Sequence, residues 1–265
     1  MSEEYKGKIH KLNSGTIYEG DWMEAPLEGG YDMAEVDGPY GLRKAAWDMM
    51  NIEGLAAWYR PHLARLTSLM APSATVYLWN TAEGWARIDP EMRLLGWEFR
   101  TLIVWDKVTS PSIIGWRGTK KWMDRTEVCG FYQRGKPCFN ATLETTENVW
   151  QFDASNDLRH EKLYDGTAMG RDGNYIIRDA THPCQKPLLF AERMVQASTR
   201  PGMRVLIPFG GTCRIATYLE RLKRNEPENA RYYDCCELNA DGKDYLGAVL
   251  GRMGEDAAAK AGQLS

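Results

Sequence analysis

The spacing of apolar and polar positions along this chain changes several times, and each change marks an element. "YDMAEVD" ends a short strand-like run that leads into the turn Asp37-Gly38-Pro39-Tyr40. "GLAAWYRPHLARLTSLMA" carries apolar residues at helical spacing, and Pro61 within it predicts that a new helical segment starts there. "ATVYLWN" has the β-branched and aromatic composition of a strand. "TAEGWARIDPEMRLLG" reads as helix with a break near Pro90, and "WEFRTLIVWDK" and "TEVCGFYQRG" read as further strands. Later, "PLLFAERMVQAST" reads as helix, "MRVLIPF" as buried strand, "CRIATYLERLKRN" as helix, "ARYYDCCEL" as strand and "ADGKDYLGAVLGRM" as a final helix. The tail "GEDAAAKAGQLS" is expected to fray. Such alternation predicts an α/β fold around a parallel or mostly parallel sheet. There is no internal repeat.

One region breaks the alternation. From about 143 to 181 the chain is polar, rich in Asp, Asn and Gly, and weakly periodic, so it reads as a loop-rich insertion. The 265 residues suffice for one large α/β domain or two small ones. With 43% hydrophobic and 26% charged residues, the composition is that of an ordinary soluble globular protein. No segment has the apolar length to cross a bilayer, and "MSEEYKGKIHKLNSG" lacks the apolar core of a secretory signal, so a cytoplasmic location is expected. Cys129, Cys138, Cys184, Cys213, Cys235 and Cys236 form no CxxC pair and no set with zinc spacing. They read as reduced thiols, and no metal is expected.

A net charge of −3 excludes a protein that coats nucleic acid non-specifically. Charge is nonetheless uneven. Arg117, Lys120, Lys121, Arg125, Arg134 and Lys136 stand against only Asp124 and Glu127, a stripe that reads either as a phosphate-facing surface or as a solvated loop. Ten tryptophans and thirteen tyrosines are a high aromatic load, serving cores or sites that stack flat ligands.

Residues 199–239 hold the clearest chemical pattern: strand, glycine turn "GGTC", helix, strand "YYDCCE". Gly210 and Gly211 let a ligand approach the backbone, and the helix start after them offers free N–H groups. Glu237 closes the second strand, where a carboxylate can accept bonds from two ribose hydroxyls. Upstream, "THPCQKPLLF" is a proline-bounded helix start, or else it brings Lys186 to the carboxylate of a ligand on the glycine turn.

Taken in order, these pieces resemble the amino-group DNA methyltransferases. "IYEGDWMEAPLEGGYDMAEVDGPYG" resembles their "GD…DPPYG" segment, and "NVWQF" and "THPCQKP" resemble "dVW" and "HPTQKP". "VLIPFGGTCRIA" is similar to their "VLDPFxGSGTT" loop, and "YYDCCELN" to the acidic strand after it. The tetrapeptide comes first and the cofactor loop last, which is the permuted, β-type order. The resemblance spans about residues 16–250. It implies a Rossmann-like, S-adenosylmethionine-dependent fold with a mostly parallel sheet. Residues 1–142 would form the catalytic half, 143–181 a target-recognition insertion, and 182–265 the cofactor-binding half of the same domain.

The resemblance also implies roles. In the tetrapeptide Asp37-Gly38-Pro39-Tyr40, Asp37 and the Gly38 carbonyl would accept hydrogen bonds from the exocyclic amine of a flipped base, and Tyr40 would stack on it. The cofactor would be held by Asp21, Lys186, Phe209, Gly210, Gly211, Thr212, Glu237 and Asn239. Arg117, Lys120, Lys121, Arg125, Arg159, His160, Arg171 and Arg178 become candidates for phosphate or base contacts. An aspartate at the first tetrapeptide position fits adenine N6, whereas serine is commoner for cytosine N4. No Pro-Cys nucleophile stands in the setting that carbon methylation needs.

Three departures from the pattern matter, the third being "GGTCR" where the family has "GSGTT". Gly38 replaces the usual proline, a loss of stiffness worth up to about 1 kcal/mol that predicts a slower enzyme rather than an inactive one. Ile207 replaces the usual aspartate, as in the loop of the related mRNA adenosine methyltransferases. Three readings follow: a DNA methyltransferase, the same chemistry on RNA, and a catalytically silent nucleic-acid-binding partner. A homodimer or a second methyltransferase subunit fits each, as does a role in restriction–modification.

Overall fold

The structure is a computed structural model that describes residues 5–43, 48, 50–107, 122, 125–140, 142, 146–151, 186–238, 246, 247, 249–251 and 253. The described strands are β1 (Lys8–Lys11), β2 (Gly15–Glu19), β3 (Tyr31–Val36), β4 (Met70–Asn80), β5 (Glu98–Asp106), β6 (Thr126–Arg134), β7 (Val149–Gln151), β8 (Arg204–Ile207) and β9 (Tyr232–Glu237). The helices are α1 (Leu55–Leu69), α2 (Ala82–Leu94), α3 (Leu188–Ser198) and α4 (Arg214–Asn225). Residues 246, 247, 249–251 and 253 are helical too.

All these strands join one sheet in the order β1-β2-β9-β8-β3-β4-β6-β5-β7. The run β2-β9-β8-β3-β4 is parallel throughout, β5 pairs β7 in parallel, and β1-β2, β4-β6 and β5-β6 are antiparallel. The sheet is therefore mostly parallel, as the alternation predicts.

Side chains alternate across the sheet with the strand period of two. Tyr77 and Trp79 of β4, Val205 and Ile207 of β8, and Tyr233 and Cys235 of β9 pack on the face covered by α3 and α4. Val76 and Leu78, Leu206, and Cys236 pack on the other, under α1. Both faces are buried, which explains why the central strands read as continuous apolar runs.

Three expectations need correction. Pro61 starts no new segment; it lies inside α1. Pro90 likewise breaks nothing and lies inside α2. A helical proline leaves the carbonyl four residues earlier without its usual donor. Here Pro61 and Ala57, and Pro90 and Ala86, are at least partly exposed, so water can serve those carbonyls. The buried stripes, Leu55-Tyr59-Leu63-Leu66 and Gly84-Ile88-Met92, run on behind them. Third, the start of the stretch read as an insertion belongs to the sheet: β7 lies beside Val104–Asp106 of β5. Residues 152–185 lie outside the described residues. No described helix is long and apolar enough to cross a membrane.

Candidate active site

The chain leaves β3 through α1 to β4 on one side, and leaves β8 through α4 to β9 on the other. Because β3 and β8 are neighbours, a crevice opens between their carboxyl ends, the topological switch point at which open α/β sheets bind ligands. A cavity of about 420 Å³ lies there, within the range of small-molecule sites. Asp37, Gly38, Pro39 and Tyr40 line it after β3, Pro208 to Thr212 line it after β8, and Glu237 lines it at the end of β9.

The wall after β3 is charged and cross-linked. Tyr40 Oη lies 2.8 Å from Asp37 Oδ1 and 3.1 Å from Glu127 Oε2. Lys186 Nζ donates to Asp37 Oδ1 at 3.0 Å, Asp37 Oδ2 at 2.9 Å and Tyr40 Oη at 2.9 Å. The same ammonium lies 3.0 Å from Glu127 Oε2, and Lys107 also pairs with Glu127. Burial alone would push the Glu127 carboxyl up, but the two lysines outweigh it and hold it down at about 2. Burial would equally lower Lys186, and the Asp37 and Glu127 carboxylates raise it instead. Glu35 lies two residues before Asp37 on the cavity wall. Its burial, and next the charge of Asp37, push its carboxyl up to about 8, so it is mostly protonated at neutral pH.

The wall after β8 is built mainly from backbone and apolar groups, with the Glu237 carboxylate and Arg214 at its margins. Gly210 N–H donates to the Cys236 carbonyl at 2.7 Å and Cys213 N–H to the Gly210 carbonyl at 2.7 Å. Gly211 takes a positive φ of 52° and donates its N–H to Glu237 Oε2. A Cβ on Gly210 would stand 2.7 Å from Cys235 Sγ, so only glycine fits. Arg214 Nε, at the start of α4, donates to the Lys186 carbonyl at 3.1 Å and ties the two walls together. Between them stand Trp22, Trp58, His62 and Phe209, with the Trp58 and His62 rings stacked at 4.0 Å. Trp22 Nε1 donates to His62 Nδ1 at 2.9 Å, which requires that nitrogen to be unprotonated; burial lowers the His62 pKa in the same sense.

The model of one family, described as DNA methylase, matches residues 31–248, most of the chain. The chain belongs to the DNA methylase family. Its relatives include the type II methyltransferase M1.MboII of Moraxella bovis, 24% identical over 277 residues that cover 93% of this chain and 97% of that protein. Similar solved structures include the cytosine-N4-specific PvuII DNA methyltransferase, with a TM-score of 0.65 and 16% identity over 90% of this chain and 86% of that one. M1.HpyAVI, solved as a complex with SAM, has a TM-score of 0.58 and 17% identity over 89% and 98% of the two chains. A putative DNA modification methylase from Thermus thermophilus, also solved with S-adenosyl-L-methionine, has a TM-score of 0.55 and 16% identity over 92% and 96%. The solved structures share the fold of this DNA methylase.

Of the residues singled out in the sequence of this DNA methylase, Asp21, Asp37, Gly38, Pro39, Tyr40, Lys186, Phe209, Gly210, Gly211, Thr212 and Glu237 all line the one cavity. Lys186 Nζ contacts Asp37, Tyr40 and Glu127, and Lys186 lines the same cavity as the glycine turn. Ile207, the apolar substitute for aspartate, is 1% exposed and packs in the core beneath the turn. Arg125 grips Asp106 with contacts of 3.1, 2.7 and 2.9 Å. Asn239, Arg117, Lys120, Lys121, Arg159, His160, Arg171 and Arg178 lie outside the described residues. Sequence reasoning missed Glu35, Glu127, Trp22, Trp58 and His62. The alternation of β3 already put Glu35 and Asp37 on one face; the others come from distant elements.

Proposed function

We propose that this DNA methylase transfers a methyl group from S-adenosylmethionine to an exocyclic amine of DNA, adenine N6, by base flipping and direct transfer. The observation that carries this reading is that Asp37 and Tyr40 share one cavity with the glycine turn and Glu237. The cavity suits the cofactor. Glu237 and Asp21 offer acceptors for hydroxyl and amine groups, Gly210 permits close approach, and the aromatic walls suit a flat purine. Bound there, S-adenosylmethionine would supply an electrophilic methyl group on a cationic sulfur.

The chain's own residues do the positioning. Asp37 would accept a hydrogen bond from one amine hydrogen and the Gly38 carbonyl the other, which orients the nitrogen lone pair for attack. As the N–C bond forms the S–C bond breaks, the neutral thioether leaves, and the surplus amine proton is passed to Asp37 or to water. Tyr40 offers its ring to the base. The amine nitrogen supplies the attacking lone pair itself, so transfer needs no covalent intermediate on the protein. Positioning and preset electrostatics then supply the rate. Aspartate at the first tetrapeptide position is the basis for choosing adenine over cytosine. Target reading is assigned to residues 143–181 and to the basic stripe.

A second reading has its own observation: both Asp37 oxygens are engaged by Lys186, which suits a silent nucleic-acid-binding partner as well as a resting enzyme. Incubation with S-adenosylmethionine and mixed-sequence duplex DNA, then digestion and mass spectrometry of the nucleosides, separates the two. N6-methyladenine supports the proposal, N4-methylcytosine overturns the base assignment, and DNA binding without methylation favours the silent partner.

A further inference from the structure

Gly38 loses the rigidity of a proline, and the surroundings of that position suggest what replaces it. Tyr59 of α1 is fully buried, and its hydroxyl donates to the carbonyl of Pro39 at 3.2 Å. Asn80, at the end of β4, approaches the same carbonyl through Nδ2 at 3.4 Å. A Cβ added to Gly38 would stand 2.7 Å from Tyr59 Oη and 3.1 Å from Phe209 Cε2. Real Cβ atoms do not tolerate the shorter distance, and the ring has little room to retreat. It packs edge-on against Trp58 with centroids 4.9 Å apart, inside the cluster that holds Leu55, Leu63 and Leu66. Burial, then the charge of Asp37, raises the Tyr59 pKa, which keeps the phenol a donor.

We propose that Tyr59 is a positioning residue: it clamps the tetrapeptide backbone from α1, and its hydroxyl occupies the space that the missing side chain at position 38 would need. The stiffness is supplied by a hydrogen bond across the site instead of by a ring in the turn. Glycine at 38 and tyrosine at 59 therefore form a matched pair. This rests on the function proposed above, since the position of the tetrapeptide matters only if it holds a base.

The test is a double-mutant cycle on the full chain with Gly38→Ala, Tyr59→Phe and both together. Each protein is assayed for kcat, for the KM of the methyl donor, and for its melting temperature. Tyr59→Phe is expected to lower kcat about 10-fold with the donor KM unchanged, as misplacement of a reacting group does. Gly38→Ala is expected to lower kcat by about 10-fold to 100-fold alone, but by less than about 3-fold alongside Tyr59→Phe, where the clash is relieved. The melting temperature should follow the same pattern. A core tyrosine with no positioning role would shift the melting temperature and leave kcat alone, so an unchanged kcat in Tyr59→Phe overturns the proposal. Effects on kcat that simply multiply overturn it as well. A wild-type protein that transfers no methyl group overturns the function and the positioning role together; an active one with independent effects overturns only the role of Tyr59.

Discussion

The turns after β3 and β8 leave neighbouring parallel strands at the same end of the sheet, yet they are held in opposite ways. The first is a mesh of charge. Asp37 and Tyr40 are tied to Lys186, which precedes α3, and Tyr40 and Lys186 are tied in turn to Glu127, which sits on β6. The second is held by main-chain bonds to Cys236 and between Gly210 and Cys213, with one bond from Gly211 N–H to the Glu237 carboxylate, over an apolar floor that includes Ile207 and Cys235. Both turns depart from the family pattern, and the departures at Gly38 and Ile207 differ in kind. Gly38 stands on the cavity wall, where a specific contact with Tyr59 answers it. Ile207 lies under its turn, where packing absorbs it. A substitution inside the charged wall therefore needs a partner elsewhere, while one beneath the backbone wall needs only the right shape.

The largest effect should come from breaking the charged wall. Asp37→Ala removes the proposed acceptor of the amine and leaves Lys186 with Glu127 as its carboxylate partner. We expect methyl transfer to fall by about 10³-fold or more, on the order of 4 kcal/mol of barrier. Donor binding, measured by calorimetry, should change little. Full activity in this variant would remove Asp37 from the mechanism.

The floor of the second turn gives the next largest effect, in stability. Ile207→Asp restores the residue usual in the family, but at a position 1% exposed among Val205, Cys235 and Ile215. An unpaired carboxylate there should cost about 3 kcal/mol. Urea denaturation would read this directly. A variant as stable as the parent would mean that the turn can rebuild itself around the carboxylate, and the contrast between the two walls would weaken.

These two positions show what was legible in the sequence. The glycine turn and Glu237 stand at strand ends and are legible from the strand–turn–helix–strand pattern, whereas the tetrapeptide is set apart from an ordinary turn only by the resemblance. Glu127 was visible only as a counter-charge in a basic stripe. Antiparallel pairing of β6 with β4 and β5 brings it to a residue about ninety positions earlier, and no local period encodes that. Tyr59 read as one apolar position on a helix face, because the target of its hydroxyl belongs to another segment. Pro61 and Pro90 misled for a related reason: what a helical proline disrupts depends on whether its carbonyl faces water, a tertiary fact. β1 and β2 gave little signal, since Ile17 is the one fully buried side chain in either.

Glu35 sharpens the electrostatic side of the comparison. Its carboxyl is pushed up from 4.5 to about 8 by burial and by Asp37. Between those values the unfolded chain has lost the proton and the folded chain keeps it, so stability falls as pH rises through that window. Glu35→Gln cannot lose a proton, and the slope attributable to this residue should disappear. The variant should gain on the parent by about 3–4 kcal/mol between pH 5 and 8. Melting curves across that range would show it. Parallel pH profiles for the two proteins would mean that the cavity wall solvates the Glu35 carboxylate.

A charge outside both walls provides the control and the smallest effect. Arg125 precedes β6 and is held by Asp106 at the end of β5, with its side chain 45% exposed. Exposed pairs of this kind contribute about 0–1 kcal/mol, so Arg125→Ala should barely move the urea midpoint. As a phosphate contact it would first have to release Asp106. We therefore expect the variant to weaken DNA binding uniformly across sequences and to reduce the salt dependence by about one ion at most. Titration of duplex DNA at several salt concentrations measures this. An unchanged slope would leave Arg125 a structural partner of Asp106, and the search for phosphate contacts would move to the rest of the basic stripe. A loss of methyl transfer at saturating DNA would instead mean that the charged wall extends through Asp106 and Lys107 to the sheet edge, well past the turn itself.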